Sequence, residues 1–583
     1  MLHFIDFEVF HADWLCVILS PTHKTKTVIV NDRDKLKAYY DKYKKEIFVG
    51  YNIRHYDQYI FKAILIGFDP KDVNDSIIVK GVKGWEYSDL FRNIELNFYD
   101  ARPEEGNSPG LKTLEGYLGN NIEESSVDFN LQRKLTPAEI AETVKYCQHD
   151  VEQTMQVFMI NKDDFQTRMD LINEFKRPLD ELGKSQTQQT ALVLGAVKQE
   201  RKDEFDIEFP PCLQLDKYKS IAMWYLNPEN WYKRLPSKKV DKATRKSQKV
   251  IVADTPHEFG WGGIHGAKLN YIESGQFLNM DVSSYYPSIM IEYDWLSRNV
   301  KNKGQYRGIK DTRIVLKAKK EKRQSSYKLV LNKTYGGSND PHNALFDPRQ
   351  ANNVCVGGQL LLLDLIEKLE PYCDIIQSNT DGILVKLHDN REQVENICRE
   401  WMNRTGMVLE FDEFIKVIQR DVNNYILIPS GSLYDEKGKP RWKSKGRFLK
   451  KHTPLDYNLP IIQEAVINYF IHGIPVKDTI NRCNELIKFQ QIVKVSSSYD
   501  FAMHGIHRLT AKTLRVFASK NLTDGGVYKV KEGCNPEKFE YTSINCFIEN
   551  GQVKGKTVPD NLDRDFYITL AQAQIDKFLY GKD

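Results

Sequence analysis

The 583-residue sequence has no apolar run of the ~18 residues that a membrane-spanning helix requires, and no signal-peptide pattern at its start. It also has no Cys-x-x-Cys pair. Its nine cysteines are scattered singly, which argues against a zinc or iron–sulfur centre, and their odd number argues for a reducing compartment. Internal repeats and low-complexity tracts are absent. Charge of one sign is not in excess either: the net charge is +4, so the average composition says little about partners, although basic runs occur locally. What is present is ordinary for a soluble globular enzyme, with 41% apolar and 28% charged residues. The length exceeds what one core supports, and three or four domains are expected.

The stretch around which the chain is organised is Gln276-Phe-Leu-Asn-Met-Asp281-Val-Ser-Ser284-Tyr285-Tyr286-Pro287-Ser288. Apolar Phe277, Leu278 and Met280 predict a buried strand that delivers Asp281 at its end. Pro287 is then expected to break the strand and open a helix over 288–293. A carboxylate at a strand tip beside a helix start can hold a divalent cation and admit a polyphosphate. An aspartate capping the helix is the plainer explanation, and the choice depends on the residues further along.

At the amino terminus, His3-Phe-Ile-Asp6-Phe-Glu8-Val-Phe10 alternates as a strand, which puts Asp6 and Glu8 on one face. Residues 14–19 and 27–30 continue as a meander. A second segment, Gly50-Tyr-Asn52-Ile-Arg-His-Tyr56-Asp57, leads into a helical pattern. A third, Thr136-Pro137-Ala-Glu139, is a capping-box start with proline at the first helical position. That helix carries Tyr146 and Asp150 four residues apart on one face. Four acids from three elements can hold two cations across a phosphodiester while a phenol orients the attacking water. Asp6/Glu8, Asn52 to Asp57, and Tyr146-x-x-x-Asp150 resemble the three exonuclease motifs of the DnaQ-like 3′→5′ proofreading nucleases, and residues 111–118 suit that fold as a helix. The resemblance spans about residues 1–180 and implies metal binding by Asp6, Glu8, Asp57 and Asp150, with Tyr146 catalytic.

From about 180 to 250 the pattern is helical and mixed. Residues 233–249 form a basic run opposed only by Asp241, which is a solvated loop or a phosphate-contacting segment. Trp261-Gly262-Gly263 is a glycine-rich turn. Beyond the central stretch, 313–336 is a lysine-rich helical pattern expected to break at Gly336-Gly337, and it spaces Lys328, Asn332 and Tyr335 along one stripe. Apolar runs at 372–376 and 383–387 flank Gln377-Ser-Asn379-Thr-Asp381-Gly382 and predict a β-hairpin with an acid at its turn. Asp281 and Asp381 on adjacent strands would serve a cation pair ~3.5–4 Å apart.

These three pieces resemble motifs A, B and C of the family B DNA polymerases. The resemblance implies that Asp281, Asp381 and the Val282 carbonyl bind metal, and that Lys328 holds the triphosphate. Asn332 and Tyr335 would line the nascent pair beside Ser284, Tyr285 and Tyr286, with Tyr286 excluding a 2′-hydroxyl. Gly262 and Gly263 answer to the family's Tyr-x-Gly-Gly element, which contacts DNA. Lys443-Ser-Lys445-Gly446 answers to its Lys-x-Lys-Gly, so Lys443 and Lys445 are expected on primer-strand phosphate. The sequence departs from the family at Trp261 (for tyrosine), Tyr285 (for leucine), Asn379 (for an acid), Gly382 (for serine) and Asn423-Asn424-Tyr425 (for Lys-x-Tyr).

The expectation is therefore an α+β multidomain chain: a ribonuclease-H-like exonuclease domain plus a right-hand polymerase with an antiparallel palm sheet, short helical fingers and a thumb. The exonuclease domain is expected over 1–180, a connecting region over 181–270, the palm over 271–450 with fingers at about 301–337, and the thumb over 451–583. Helices are expected at 460–470 and 476–492. Two Mg²⁺ per active site are implied, with Mn²⁺ as the substitute. The implied partners are primer–template DNA and deoxynucleoside triphosphates, with a helicase–primase or sliding clamp as candidate accessories. The string Gln574 to Leu579 loosely resembles a clamp-binding peptide, although the apolar face of a docked helix is the commoner origin. A monomeric bacteriophage enzyme in the host cytoplasm, with no membrane partner, fits best. The protein-primed subtype is the nearer alternative, but the intervals from Asp281 to Lys328 and from Gly336 to Asp381 leave no room for its insertions. A DNA-binding replication protein in which only the exonuclease is active is the other.

Overall fold

The computed structural model describes residues 1–104 and 108–581. It is mixed α+β with several sheets, and the chain divides into two compact units. The first comprises Met1–Ser185, Lys451–Ala465 and Ile474–Leu570. The second comprises Gln186–Lys450, Val466–Gly473 and the C-terminal residues from Ala571. Most of the segment expected as a thumb therefore clusters with the amino-terminal residues. Among the described residues, no helix is long and apolar enough to cross a membrane.

The first unit is built on strands β1 (Leu2–Val9), β2 (Trp14–Ser20), β3 (Thr25–Val30), β4 (Ile47–Gly50) and β5 (Phe98–Asp100), in the order β3-β2-β1-β4-β5. β1 runs antiparallel to β2 and parallel to β4. Alternation along β1 serves two cores. Ile5, Phe7 and Val9 pack with Ile60 and Phe61 of the Asp57–Ile66 helix, whereas Phe4 packs with Cys147, Val151 and Phe158 of the Pro137–Ile160 helix. Asp6 and Glu8 share the face of Phe4, which sets them beneath the helix that carries Tyr146 and Asp150. That helix begins with the expected capping box: Thr136 Oγ1 accepts from Glu139 N at 3.3 Å, and Glu139 accepts from Thr136 N at 2.8 Å.

The carboxy-terminal part of this unit holds two small sheets, of three and four strands. The helix expected over 476–492 is α-helical only at Val476–Arg482, followed by a short 3₁₀ turn at Leu486–Phe489. Gln491–Lys494 is instead a strand paired with Thr513–Ala518, because β-branched Ile492 and Val493 find an apolar partner strand there. Buried Arg515 on that partner donates to the carbonyls of Asn120 at 2.7 Å and Gly116 at 3.2 Å, tying this sheet to the Leu111–Tyr117 helix. Burial pushes its guanidinium down to about 10.

The second unit is built on a nine-stranded sheet, antiparallel throughout. Its strands are β6 (Ser247–Val252), β7 (Thr255–Gly260), β8 (His265–Ala267), β9 (Tyr271–Val282), β10 (Cys373–Asn379), β11 (Gly382–Leu387), β12 (Leu409–Asp421), β13 (Asn424–Pro429) and β14 (Lys443–Lys445). Their order is β14-β13-β12-β9-β11-β10-β8-β7-β6, which puts the predicted central strand, β9, between β12 and β11. After β9 the chain turns at Ser284, whose φ of 48° is left-handed, and enters the helix Tyr285–Glu292. Pro287 therefore lies inside the first turn rather than before it. This is tolerated because no intrahelical acceptor exists there for a proline to lose.

The lysine-rich pattern is two helices, Lys303–Ala318 and Gln324–Asn339, separated where Lys320 takes a φ of 57°. Gly336-Gly337 does not end the second. A Cβ at Gly337 would stand 2.9 Å from Leu345 Cδ1, so that glycine serves a close approach inside the helix. The Pro348–Leu369 helix is buried nearly all round. Its polar residues are paired: Asp364 accepts two bonds from Arg404, at 2.9 and 2.8 Å, and Gln359 Oε1 accepts from Tyr225 at 2.9 Å. Ile575 and Phe578 of the final helix, within the clamp-like string, are buried, as the apolar face of a docked helix requires.

Candidate active sites

In the first unit, Asp6 and Glu8 come from β1, Asp57 from the first turn of its helix, and Asp150 from the Pro137–Ile160 helix. The four carboxyls act on one another. Burial, then Asp150, pushes Asp6 up to about 7. Burial, then Asp6 and Asp150, holds Glu8 well above the usual carboxylate range, and burial with Asp6 does the same to Asp57. Asp150 is pushed up to about 6 by burial, against the opposing pull of Lys112. Asp57 Oδ1 is buried without a hydrogen-bond partner. A buried, mutually repelling set of oxygens with one of them unpaired suits a hard divalent cation.

Tyr146 stands beside the cluster, and its phenol is raised by burial and by Asp150. Three neighbours went unnoticed in the sequence. Lys112 bonds Asp150, reaches Glu115 at 3.2 Å, and lies 4.5 Å from the centre of the Tyr146 ring. Cys147 Sγ is 3.7 Å from Asp6 Oδ2. His149 Nε2 lies 3.7 Å from fully buried Glu115. The i, i+3 pair Lys112/Glu115 at a helix start was the available signal. Asn52, at a left-handed φ of 66°, shapes the entry to Asp57: its N–H donates to Asp100 at 2.8 Å and its Oδ1 accepts from Arg102 at 2.9 Å.

In the second unit, the β9–β11 register sets Asp281 opposite Gly382, so Asp381 is one residue from the pairing, and Val282 N donates to Asp381 O at 2.7 Å. Burial and then Asp281 raise the Asp381 carboxyl. Both aspartates line a cavity of about 530 Å³ with Val282, Ser284, Lys443 and Lys445. Asp281 Oδ2 accepts from Asn279 at 2.8 Å and from Lys443 at 3.1 Å, and Lys443 also reaches Asp412 at 2.7 Å. Lys443 is therefore engaged with the carboxylates, while Lys445 pairs opposite Tyr425 on β13. Asn379 and its hydrogen-bond partner His265 line the same cavity.

The predicted nucleotide-contacting residues divide. Lys328 and Asn332 are exposed on the second lysine-rich helix and do not line the cavity. Besides Lys443 and Lys445 of β14, the cations that do line it come from the first helix: Arg313, whose Nη1 donates to Ser284 Oγ at 2.8 Å, and Lys317, 3.7 Å from Glu410. Their i, i+4 spacing, which sets both on one helix face, is the sequence signal that points to them rather than to Lys328. Tyr285 is a core residue whose hydroxyl donates to Gly358 O at 2.7 Å. Tyr286 packs against Tyr335 with ring centres 4.6 Å apart. Gly262 and Gly263 form the β7–β8 turn. A Cβ at Gly263 would stand 3.0 Å from Thr380 Oγ1, so this turn abuts the tip of the Asp381 hairpin. Trp261 is buried and donates its indole N–H to Asn230 O at 3.0 Å.

No protein-family model matches the chain, and no curated protein matches it. Among solved structures, it is similar to one described as the family B DNA polymerase from the hyperthermophilic archaeon Pyrobaculum calidifontis. That similarity has 14% identity and a TM-score of 0.42, and it covers 99% of this chain and 78% of that one.

Proposed function

We propose that the chain is a DNA-directed DNA polymerase with a 3′→5′ proofreading exonuclease, encoded by a bacteriophage and working in the host cytoplasm. The observation that carries this reading is the meeting of Asp281, near the end of β9, and Asp381, at the turn of the β10–β11 hairpin, in a cavity that Arg313, Lys317, Lys443 and Lys445 also line. The separate four-acid cluster with its tyrosine supports the editing activity. The strand order β3-β2-β1-β4-β5, with helices packed on both faces, fits a ribonuclease-H-like domain. The antiparallel nine-stranded sheet and the helix pair inserted between its strands β9 and β10 fit a palm and short fingers.

Asp281, Asp381 and the Val282 carbonyl would hold cations in one site, and Asp6, Glu8, Asp57 and Asp150 in the other. When bound, Mg²⁺, or Mn²⁺ in its place, supplies activation of the attacking oxygen and neutralisation of charge at the phosphorus. Arg313 and Lys317 line the cavity with the aspartates and would bind the triphosphate of an incoming deoxynucleotide. Lys443 holds Asp281 in orientation through Oδ2. Tyr286, braced by Tyr335, would stack on the sugar and exclude a 2′-hydroxyl. In the other site Tyr146, held near Asp150 by the Lys112 ammonium, would orient the hydrolytic water.

Extension of a 5′-labelled, 3′-mismatched primer on its template, with and without deoxynucleotides, tests both chemistries on one gel. Asp381→Ala should abolish extension and leave trimming, and Asp6→Ala with Glu8→Ala should do the reverse. Loss of both activities from either folded variant overturns the two-site assignment. Asn379, in place of an acid, favours a second reading in which only the nuclease is active. That reading predicts trimming by the wild type that deoxynucleotides never reverse.

A further inference from the structure

Away from both carboxylate sites, three metal-ligating side chains from three segments of the first sheet converge. His3 is on β1, His23 is in the β2–β3 turn, and Glu46 immediately precedes β4. His3 is fully buried and shares a strand face with Ile5 and Phe7, not with Asp6 and Glu8. His3 Nε2 lies 2.8 Å and His23 Nε2 lies 3.3 Å from the same oxygen, Glu46 Oε2. One donor atom from each of the three residues lies within 4.8 Å of the others.

Side chains that are not ligands fix the rings. Tyr39 OH lies 2.7 Å from His3 Nδ1, and the Tyr43 ring packs on both imidazoles with centres 4.7 and 5.1 Å away. Outer partners of this kind orient metal-binding histidines and select the nitrogen that faces the metal. With bonds of about 2.0–2.1 Å, neighbouring ligand atoms of a tetrahedral zinc lie about 3.3–3.4 Å apart. The His23–Glu46 spacing is already of that size, and the His3–Glu46 spacing needs to open by about half an ångström. The side chains of His23 and Glu46 are 26% and 18% exposed, so a fourth position can be taken by water.

We propose that His3, His23 and Glu46 form a binding site for a borderline transition cation of the Zn²⁺ class, joining β1, the β2–β3 turn and the approach to β4. Two imidazoles and one carboxylate favour Zn²⁺ over Mg²⁺, which prefers an all-oxygen set such as the aspartate sites provide. The absence of cysteine pairs therefore excludes only a thiolate zinc centre, and this site needs none. A carboxylate that accepts N–H bonds from two imidazoles would meet the same distances without any ion, so the test must separate the two.

The metal-stripped full chain is titrated calorimetrically with Zn²⁺ in buffer holding excess Mg²⁺, which competes at the carboxylate sites. His23→Ala and Glu46→Gln are measured alongside, with circular dichroism as the folding control. The visible absorption of Co²⁺ at the same site reports its geometry. The expected result is one tight equivalent of Zn²⁺ in the wild type that both variants lose, with tetrahedral Co²⁺ bands and a Zn²⁺-dependent rise in melting temperature lost alongside it. Equal Zn²⁺ stoichiometry and the same Co²⁺ spectrum in all three proteins would overturn the proposal.

Discussion

Restoring a side chain at position 382, where the polymerase motif resembled by this chain carries serine, should damage extension rather than improve it. A Cβ at Gly382 would stand 2.2 Å from Asp281 Oδ1, and real Cβ atoms essentially never come closer than 3.0 Å to such an atom. The carboxylate must therefore move by about 1 Å, the scale of misplacement that costs about 10²-fold in rate. It cannot swing freely, because Oδ2 is tethered by Asn279 at 2.8 Å and by Lys443 at 3.1 Å. Gly382 does not occupy the left-handed region, so alanine adds no backbone strain of its own. The Asp281–Lys443 pair is 43% and 41% exposed, so loosening it costs stability of at most about 1 kcal/mol. Gly382→Ala and Gly382→Ser should each lower kcat/KM for extension about a hundredfold, or about 2.7 kcal/mol in the barrier, with trimming of a mismatched end unchanged. Adding Asn279→Ala should recover part of the loss by freeing the carboxylate to settle elsewhere. Single-turnover extension on a matched primer measures the effect. If Gly382→Ala extends within about threefold of wild type, the tethered position of Asp281 is not the one used in catalysis.

Other consequences follow from the same geometry. Arg313→Ala should raise KM for deoxynucleotides about tenfold to a hundredfold through loss of a charged contact, and Lys328→Ala less than about threefold, as steady-state kinetics will read; the reverse order would restore Lys328 to the triphosphate. Lys112→Met removes the cation that opposes the buried acids, so Mg²⁺ should raise the melting temperature of the variant more than that of wild type; an equal rise would remove Lys112 from the charge balance. Buried His257 has its pKa lowered from 6.5 to about 4 by burial and donates only to Thr255 O, at 2.8 Å. Its contribution to stability is fully present above pH 6.5 and is lost as pH falls toward about 4, to a total of about 3 kcal/mol. His257→Phe should flatten that part of the acid-unfolding curve, and an unchanged curve would refute the assignment.

The local features were readable because their causes are local. The capping box at Thr136 and Glu139, the alternation from His3 to Phe10, and the apolar runs around Asn379 to Gly382 each predict an element that the structure contains. Features set by tertiary pairing were not. Ile492 and Val493 carry a helical pattern in sequence but complete a sheet with 513–516. The Pro348–Leu369 helix passed unremarked because a helix buried on every side has no polar stripe to set its period. At the sites, the acids and Lys443 and Lys445 are legible by type and spacing, whereas which acid each lysine meets is not. Lys443 reaches Asp281 only because β14 pairs with β13 and β13 with β12, which brings together residues 162 positions apart. Tyr285 misled in the opposite direction: its place in the motif suggested a nucleotide contact, and the first helical turn aims it at Gly358 instead.

The two carboxylate sites meet the same electrostatic demand in different surroundings. Each sets a lysine from a separate element on one of its acids and tethers that lysine to another acid: Lys112 to Asp150 and Glu115, Lys443 to Asp281 and Asp412. Sharing matters, since an ammonium divided between two acids neither neutralises the first fully nor stays bound to it alone. It can move toward its second partner when another cation or a phosphate arrives. In the first unit the carboxyls are buried, so one lysine leaves Asp6, Glu8, Asp57 and Asp150 all raised above their usual range. In the second unit Asp281 is 43% exposed and water screens it, so Lys443 acts mainly on orientation. The same residue type therefore works as counter-charge in one site and as positioning group in the other, and burial decides which.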